Sequence, residues 1–213
     1  MAGPPAYEDQ VRQSADRILL EASAFFMQCG SIHQTLRDLA RRLDEASIPY
    51  AVLGAMALAQ HGLVRMTLDI DLLLTPAGLA EFKDRYLNRG YVSAFPGAEK
   101  TFRASDTGVR IKVITSGQHP GDRLPKPVSF RHPAEASVEL SGLRVIALER
   151  LVDLKLASGM TAAHRWRDLA DVQDLIRTLR LPSHFADALD ASVRPVYQQL
   201  WEEAQSPDQL QEG

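Results

Sequence analysis

Val52-Leu53-Gly54-Ala55, followed after thirteen residues by Asp69-Ile70-Asp71-Leu72, is the stretch from which the rest of the chain is read. Tyr50-Ala51-Val52-Leu53 is a short apolar run directly after Pro49, as expected of a buried strand, and Gly54 turns it into a small helix over 55–61. Leu68 to Leu74 reads as a second strand, with apolar and acidic residues alternating at its start. Residues two apart on a strand project from the same face, so Asp69 and Asp71 stand side by side with Ile70 packed beneath them. Two carboxylates on one face repel each other, and a divalent cation is the usual compensation. Oxygen-only ligands suit Mg²⁺, which one or two carboxylates commonly hold together with substrate phosphates. Gly54, at the junction of strand and helix, lets a phosphate approach backbone N–H groups closely. Taken singly, an Asp-x-Asp is a solvated strand face and a glycine after a strand is a turn. The two together, at this spacing, point to a phosphate cradle beside a metal pair.

Outward from this stretch the periodicity is mostly helical. Tyr7 to Gln28 spaces Val11, Ile18, Leu19 and Phe25 as one helix, and Ser31 to Ala46 as a second, ended by Ile48-Pro49. After the second strand, Pro76 opens a helix running to about Asn88. Tyr91-Val92 and Thr101 to Arg103 are short strands, and Ser105 to Gly108 is a turn into the strand Val109 to Thr115. Residues 116–134 show no periodicity and read as an ordered loop. Ser137 to Leu140 and Leu143 to Ile146 form a hairpin, and helices over Leu148 to Ala157, Ala163 to Leu179 and Ser183 to Ala204 follow. The expectation is an α/β (α+β) fold, a small mixed sheet with helical extensions at both ends. Its parts would be an N-terminal helical hairpin (1–47), an α/β core (48–147) and C-terminal helices packing on the core (148–213).

With 213 residues, 45% hydrophobic and 24% charged, the composition excludes a largely disordered or low-complexity chain. The single cysteine, Cys29, excludes a disulfide framework and a cysteine zinc site. The apolar runs are too short to span a membrane, and the first residues do not read as a signal peptide, so a cytoplasmic protein without a membrane partner is expected. The net charge of -3 conceals an asymmetry: Lys100 to Arg167 carries 12 basic and 6 acidic residues. A basic middle suggests an anionic ligand, unless its charges simply point in different directions.

Leu53-Gly54-Ala55 with Asp69-Ile70-Asp71 resembles the signature of the nucleotidyltransferase superfamily, built on the DNA polymerase β-like fold. More narrowly, it is similar to minimal bacterial enzymes around the AbiE-type toxins. Ala55 takes the place of the second small residue, and His61-Gly62-Leu63-Val64-Arg65-Met66-Thr67 matches the Gly, Arg and Thr such relatives carry before the aspartates. Leu148 to Leu156 and Arg165 to Val172 resemble the second block of those relatives, a helix with a lysine followed by a helix bearing Arg, Asp and Asp. The resemblance implies transfer of a nucleoside monophosphate from an NTP to a tRNA, protein or small-molecule acceptor, in a toxin–antitoxin or defence setting. It implies catalytic, Mg²⁺-holding roles for Asp69 and Asp71, and nucleotide contacts from Gly54, Ala55, Arg65, Thr67 and Lys155.

The family usually carries a third carboxylate on a later strand. The matching strand here is Val109 to Thr115, where alternation leaves Arg110 and Lys112 opposite the apolar face and sets Lys112 at that position. A lysine there reverses the local electrostatics. It opens a second reading, that of a catalytically degenerate protein that binds a nucleotide or a partner.

Overall fold

Apolar and charged side chains alternate along the middle strands, and the sheet follows from that pattern. The computed structural model describes residues 6–206, in two units: residues up to 116 together with 131–146, and 117–130 together with 147 onward.

The first unit runs α1 (Tyr7–Val11), α2 (Ala15–Phe26), α3 (Ser31–Glu45), β1 (Tyr50–Leu53), α4 (Gly54–Gln60), β2 (Asp69–Leu74) and α5 (Pro76–Tyr86). It continues with β3 (Tyr91–Ser93), β4 (Thr101–Ala104), β5 (Arg110–Thr115), α6 (Pro133–Ala136), β6 (Ser137–Leu140) and β7 (Leu143–Ile146). The seven strands form one mixed sheet, ordered β3-β4-β5-β2-β1-β7-β6. β2 is antiparallel to β1 and parallel to β5, and β1 is parallel to β7. The fold is the expected α/β arrangement with a mixed sheet. β1 is buried along its whole length, as its unbroken apolar sequence demands. In β2 and β5 the apolar positions Ile70, Leu72, Ile111 and Val113 are buried, and Phe82 of α5 packs on Tyr91 and Phe102 with ring centroids 5.2 Å apart.

The expected helix over 7–28 is two helices. Ser14 accepts a hydrogen bond from the Arg17 N–H at 3.2 Å and restarts the chain as α2. Tyr7 and Val11 of α1 are buried, whereas Ile18 and Leu19 of α2 are 43% and 65% exposed, so the apolar spacing there does not mark a core face.

The second unit holds α7 (Leu148–Thr161), α8 (Trp166–Leu179) and α9 (Arg194–Gln205). A Cβ on Gly159 would stand 2.5 Å from Leu169 Cγ, so this glycine permits the close crossing of α7 and α8. The expected helix over 183–204 is a 3₁₀ segment, Ser183–Ala188, followed by α9. Asp190 causes the break. Its carboxylate accepts from the Ser192 N–H and hydroxyl at 3.0 and 2.6 Å, and its own N–H donates to Asp153 Oδ1 at 2.8 Å.

Of the connection read as an ordered loop over 116–134, residues 117–130 are fastened within this unit, while Pro133 and Ala134 belong to α6. Gly117 N–H donates to Phe130 O, and Lys126 Nζ donates to Pro120 O at 2.7 Å and to Thr161 Oγ1 at 3.0 Å, with Asp122 as its ion-pair partner. A lysine at the last turn of α7 also answers the negative end of that helix dipole. Among the described residues, no helix is long and apolar enough to cross a membrane.

Candidate active site

The site is assembled by strand register. Leu53, the last residue of β1, lies opposite Asp71, and Asp71 in turn lies opposite Lys112 of β5. One step along, Asp69 is paired with Arg110, and Arg110 with Arg103 of β4. Side chains in register on one face of neighbouring strands lie within reach of each other. The face of the sheet opposite its apolar core therefore carries two rows: Arg103, Arg110 and Asp69, then Thr101, Lys112 and Asp71.

Gly54 follows Leu53 with a φ of +62°, a left-handed conformation that glycine adopts without penalty. A Cβ there would stand 2.2 Å from Asp71 Oδ2, so the space left by the missing side chain is filled by the Asp71 carboxylate. Glycine at the strand–helix junction is thus required by one of the two aspartates. Ala55 is buried in the first turn of α4, and His61, after the last turn, donates from Nε2 to Ile146 O at 2.8 Å.

Both oxygens of Asp69 are engaged. The Thr67 hydroxyl donates to Oδ1 at 3.0 Å and accepts from the Asp69 N–H at 3.3 Å, fixing the entry into β2. Oδ2 receives Arg110 NH2 at 3.2 Å and the Lys112 ammonium. Burial opposes ionisation of Asp69, but Lys112, Thr67 and Arg110 together outweigh it and hold the carboxyl below the usual range. Arg65 lies half-buried in the segment leading to β2.

Lys155 is placed in the second unit. Its buried ammonium pairs with Asp171 at 2.6 Å and Asp168 at 3.1 Å, and Ser158 Oγ donates to the other Asp168 oxygen at 2.7 Å. The lysine and the two aspartates of the second sequence block therefore join α7 to α8. The basic middle of the chain is divided between the units, and many of its charges pair locally: Lys126 with Asp122, Arg144 with Glu139, Arg150 with Asp153.

Glu8 and Arg103 carry no signal in a one-dimensional reading. Glu8 sits 95 positions from Arg103 yet accepts from both its terminal nitrogens, at 2.9 and 2.7 Å, and lies 3.6 Å from Arg110. Arg103 pulls the Glu8 carboxyl down to about 2 against the cost of burial. Arg110 stands out in the sequence only as the other charged residue on the Lys112 face of its strand.

Among the described residues, no group of three or more His, Cys, Asp or Glu is arranged to hold a metal. Asp69 and Asp71 provide hard oxygen donors only, which fits Mg²⁺ as a protein share of two ligands completed by phosphate oxygens and water. Lys112 and Arg110 compete for the Asp69 arm of that pair.

No protein-family model matches this chain, and no curated protein sequence matches it. Among solved structures, it is similar to a candidate nucleotidyltransferase from Thermotoga maritima, at 18% identity and a TM-score of 0.47 over 66% of this chain and 91% of that one. A candidate nucleotidyltransferase from H. pylori aligns at 20% identity and a TM-score of 0.45, over 81% and 92% of the two chains. The CCA-adding enzyme of Thermotoga maritima, in complex with tRNA, aligns at 16% identity and a TM-score of 0.36, over 95% of this chain and 47% of its own.

Proposed function

We propose that this protein is a nucleotidyltransferase that moves a nucleoside monophosphate from an NTP to a hydroxyl on a tRNA, protein or small-molecule acceptor. The observation that carries the reading is the junction of Gly54 with Asp71. A left-handed glycine ends a buried strand, an aspartate of the adjoining strand fills its Cβ space, and a second aspartate stands two residues away on the same face. Asp69 and Asp71 are the residues to hold Mg²⁺, which when bound supplies charge neutralisation to the phosphates. Gly54 and Ala55 border the place of the triphosphate, Thr67 orients Asp69, and Arg65 adds positive charge at the entry to β2. In the transfer, the acceptor oxygen bonds to the α-phosphorus, its proton passes to solvent, and the bond to the bridging oxygen breaks as pyrophosphate leaves. Positioning and charge neutralisation account for most of the catalysis in such reactions. A toxin–antitoxin or defence setting belongs to this reading through the AbiE-type resemblance.

The test is titration of the full chain with Mg²⁺ and each NTP, reading binding by calorimetry and turnover by pyrophosphate release. The double variant Asp69→Asn, Asp71→Asn should lose Mg²⁺-dependent NTP binding and remain folded. Unchanged Mg²⁺·NTP affinity in that variant refutes the site.

The contact of Lys112 with Asp69 favours a second reading, in which the chain binds a nucleotide without turning it over. Lys112→Asp separates the two. A degenerate binder should bind Mg²⁺ more tightly on gaining the carboxylate and begin to release pyrophosphate. An enzyme that uses Lys112 on the triphosphate should lose activity.

A further inference from the structure

Asp69 is held by two cations from one strand, of which Arg110 is shared with a second carboxylate and Lys112 is the more exposed. Arg110 NH2 stands 3.2 Å from Asp69 Oδ2 while NH1 stands 3.6 Å from Glu8 Oε1. Glu8 is itself anchored by Arg103 through two hydrogen bonds. Arg103, Glu8, Arg110, Asp69 and Lys112 thus form a row of alternating charge from α1 to the candidate site. The inner members, Glu8 and Asp69, have side chains 15% exposed. Arg110 and Lys112 are 33% and 44% exposed, long enough and open enough to turn toward an incoming ligand.

A divalent cation approaching Asp69 and Asp71 by itself meets Lys112 and Arg110 at contact range and is repelled. A polyphosphate approaching Lys112 and Arg110 by itself meets the two aspartates and is repelled in turn. Arriving together, each compensates the charges that oppose the other.

We propose that Arg110 and Lys112 are displaceable counter-ions of Asp69 that move onto the phosphate chain of a bound nucleotide, so that metal and polyphosphate bind this chain as a coupled pair. The inference rests on the nucleotide reading of the site, to which it adds two phosphate-contacting residues and a linkage between ligands. Glu8 is a positioning residue in this scheme, restraining Arg110 from the side away from Asp69.

The test uses the full chain and calorimetry with three probes: MgCl₂ alone, an α,β-methylene ATP analogue in EDTA, and that analogue with MgCl₂. Wild type should bind the third markedly better than either of the others. Lys112→Gln should bind MgCl₂ alone about three- to tenfold more tightly, and the analogue in EDTA about three- to tenfold more weakly, the scale of a partly exposed charge contact. Lys112→Arg, which keeps the charge, should resemble wild type in both. Arg110→Gln should act in the same direction as Lys112→Gln. Lys112→Gln that matches wild type with the first two probes overturns the inference, and if wild type still binds the third probe, the nucleotide reading survives alone. A wild type that binds no analogue with or without MgCl₂ overturns both.

Discussion

Replacing Gly54 with alanine tests the local geometry on which the site is built. Two separate penalties follow from one added methyl. The first is conformational: a φ of +62° places an L-residue in the left-handed region, at about 1 kcal/mol over glycine. The second is steric. The new Cβ would stand 2.2 Å from Asp71 Oδ2, about 1 Å inside normal contact, and the backbone of Asp71 is fixed by pairing with Leu53 and Lys112. The carboxylate must therefore rotate away, an overpacking cost of about 1–3 kcal/mol. The expected loss is about 2–4 kcal/mol in urea-induced unfolding of the full chain, together with lost Mg²⁺·NTP binding by calorimetry. A double-mutant cycle divides the two terms. In an Asp71→Ala background the 2.2 Å clash is gone and only the residue-71 Cβ at 3.2 Å remains, while the conformational term stays, so Gly54→Ala should then cost about 1–2 kcal/mol. A Gly54→Ala protein within about 0.5 kcal/mol of wild type, or a strictly additive cycle, would refute the reasoning.

Further perturbations reach the supporting charges. Glu8 titrates near 2 in place of its ordinary 4.5, so it contributes stability above the ordinary value that is lost as pH falls through the lowered one. Glu8→Gln should therefore cost about 1–3 kcal/mol at neutral pH, and its difference from wild type should shrink below pH ~4.5 and nearly vanish by pH ~2, read by denaturation at a series of pH values. Lys155→Met leaves Asp168 and Asp171 without their shared cation in a buried setting, and should cost about 3–5 kcal/mol in chemical denaturation. Lys126→Ala unties the 117–130 segment from Thr161, so limited proteolysis there should quicken while global stability drops by about 1 kcal/mol.

The central strands were legible because their chemistry is periodic. In Asp69-Ile70-Asp71-Leu72 and Arg110-Ile111-Lys112-Val113 the burial of every second residue is written in residue type, and the structure follows it. Helix identity was equally clear for α3 and α8, where apolar residues recur on one side and are buried. Less legible was where a helix stops for a local polar reason. Ser14 and Asp190 each interrupt a continuous apolar spacing by bonding to nearby backbone, and nothing in periodicity weighs that competition. Periodicity does not give the order of strands or the parallel register of β2 with β5; the resemblance set Lys112 beside the aspartates, as the structure has it, but the pairing of Arg110 with Asp69 follows only from that register. Glu8 is the extreme case, a residue of the first helical turn whose partners lie some hundred positions on.

The charge balance of the site is set by the hydrophobic core beneath it. A slip of one residue in β5 would turn Ile111 and Val113 to the charged face and drive Lys112 among Ile70, Leu72 and Phe102, all of them essentially inaccessible to water. Burying an unpaired ammonium and exposing two branched aliphatic side chains would together cost several kcal/mol. The strand is therefore locked, and any residue at position 112 must stand beside the aspartates. Because the backbone offers that position whatever side chain occupies it, changes there alter the electrostatics of the site while leaving the fold intact. This is what makes Lys112 a probe of the chemistry rather than of stability: its side chain is partly exposed, its backbone is held by two neighbouring strands, and it forms an ion pair with an aspartate of the proposed metal pair.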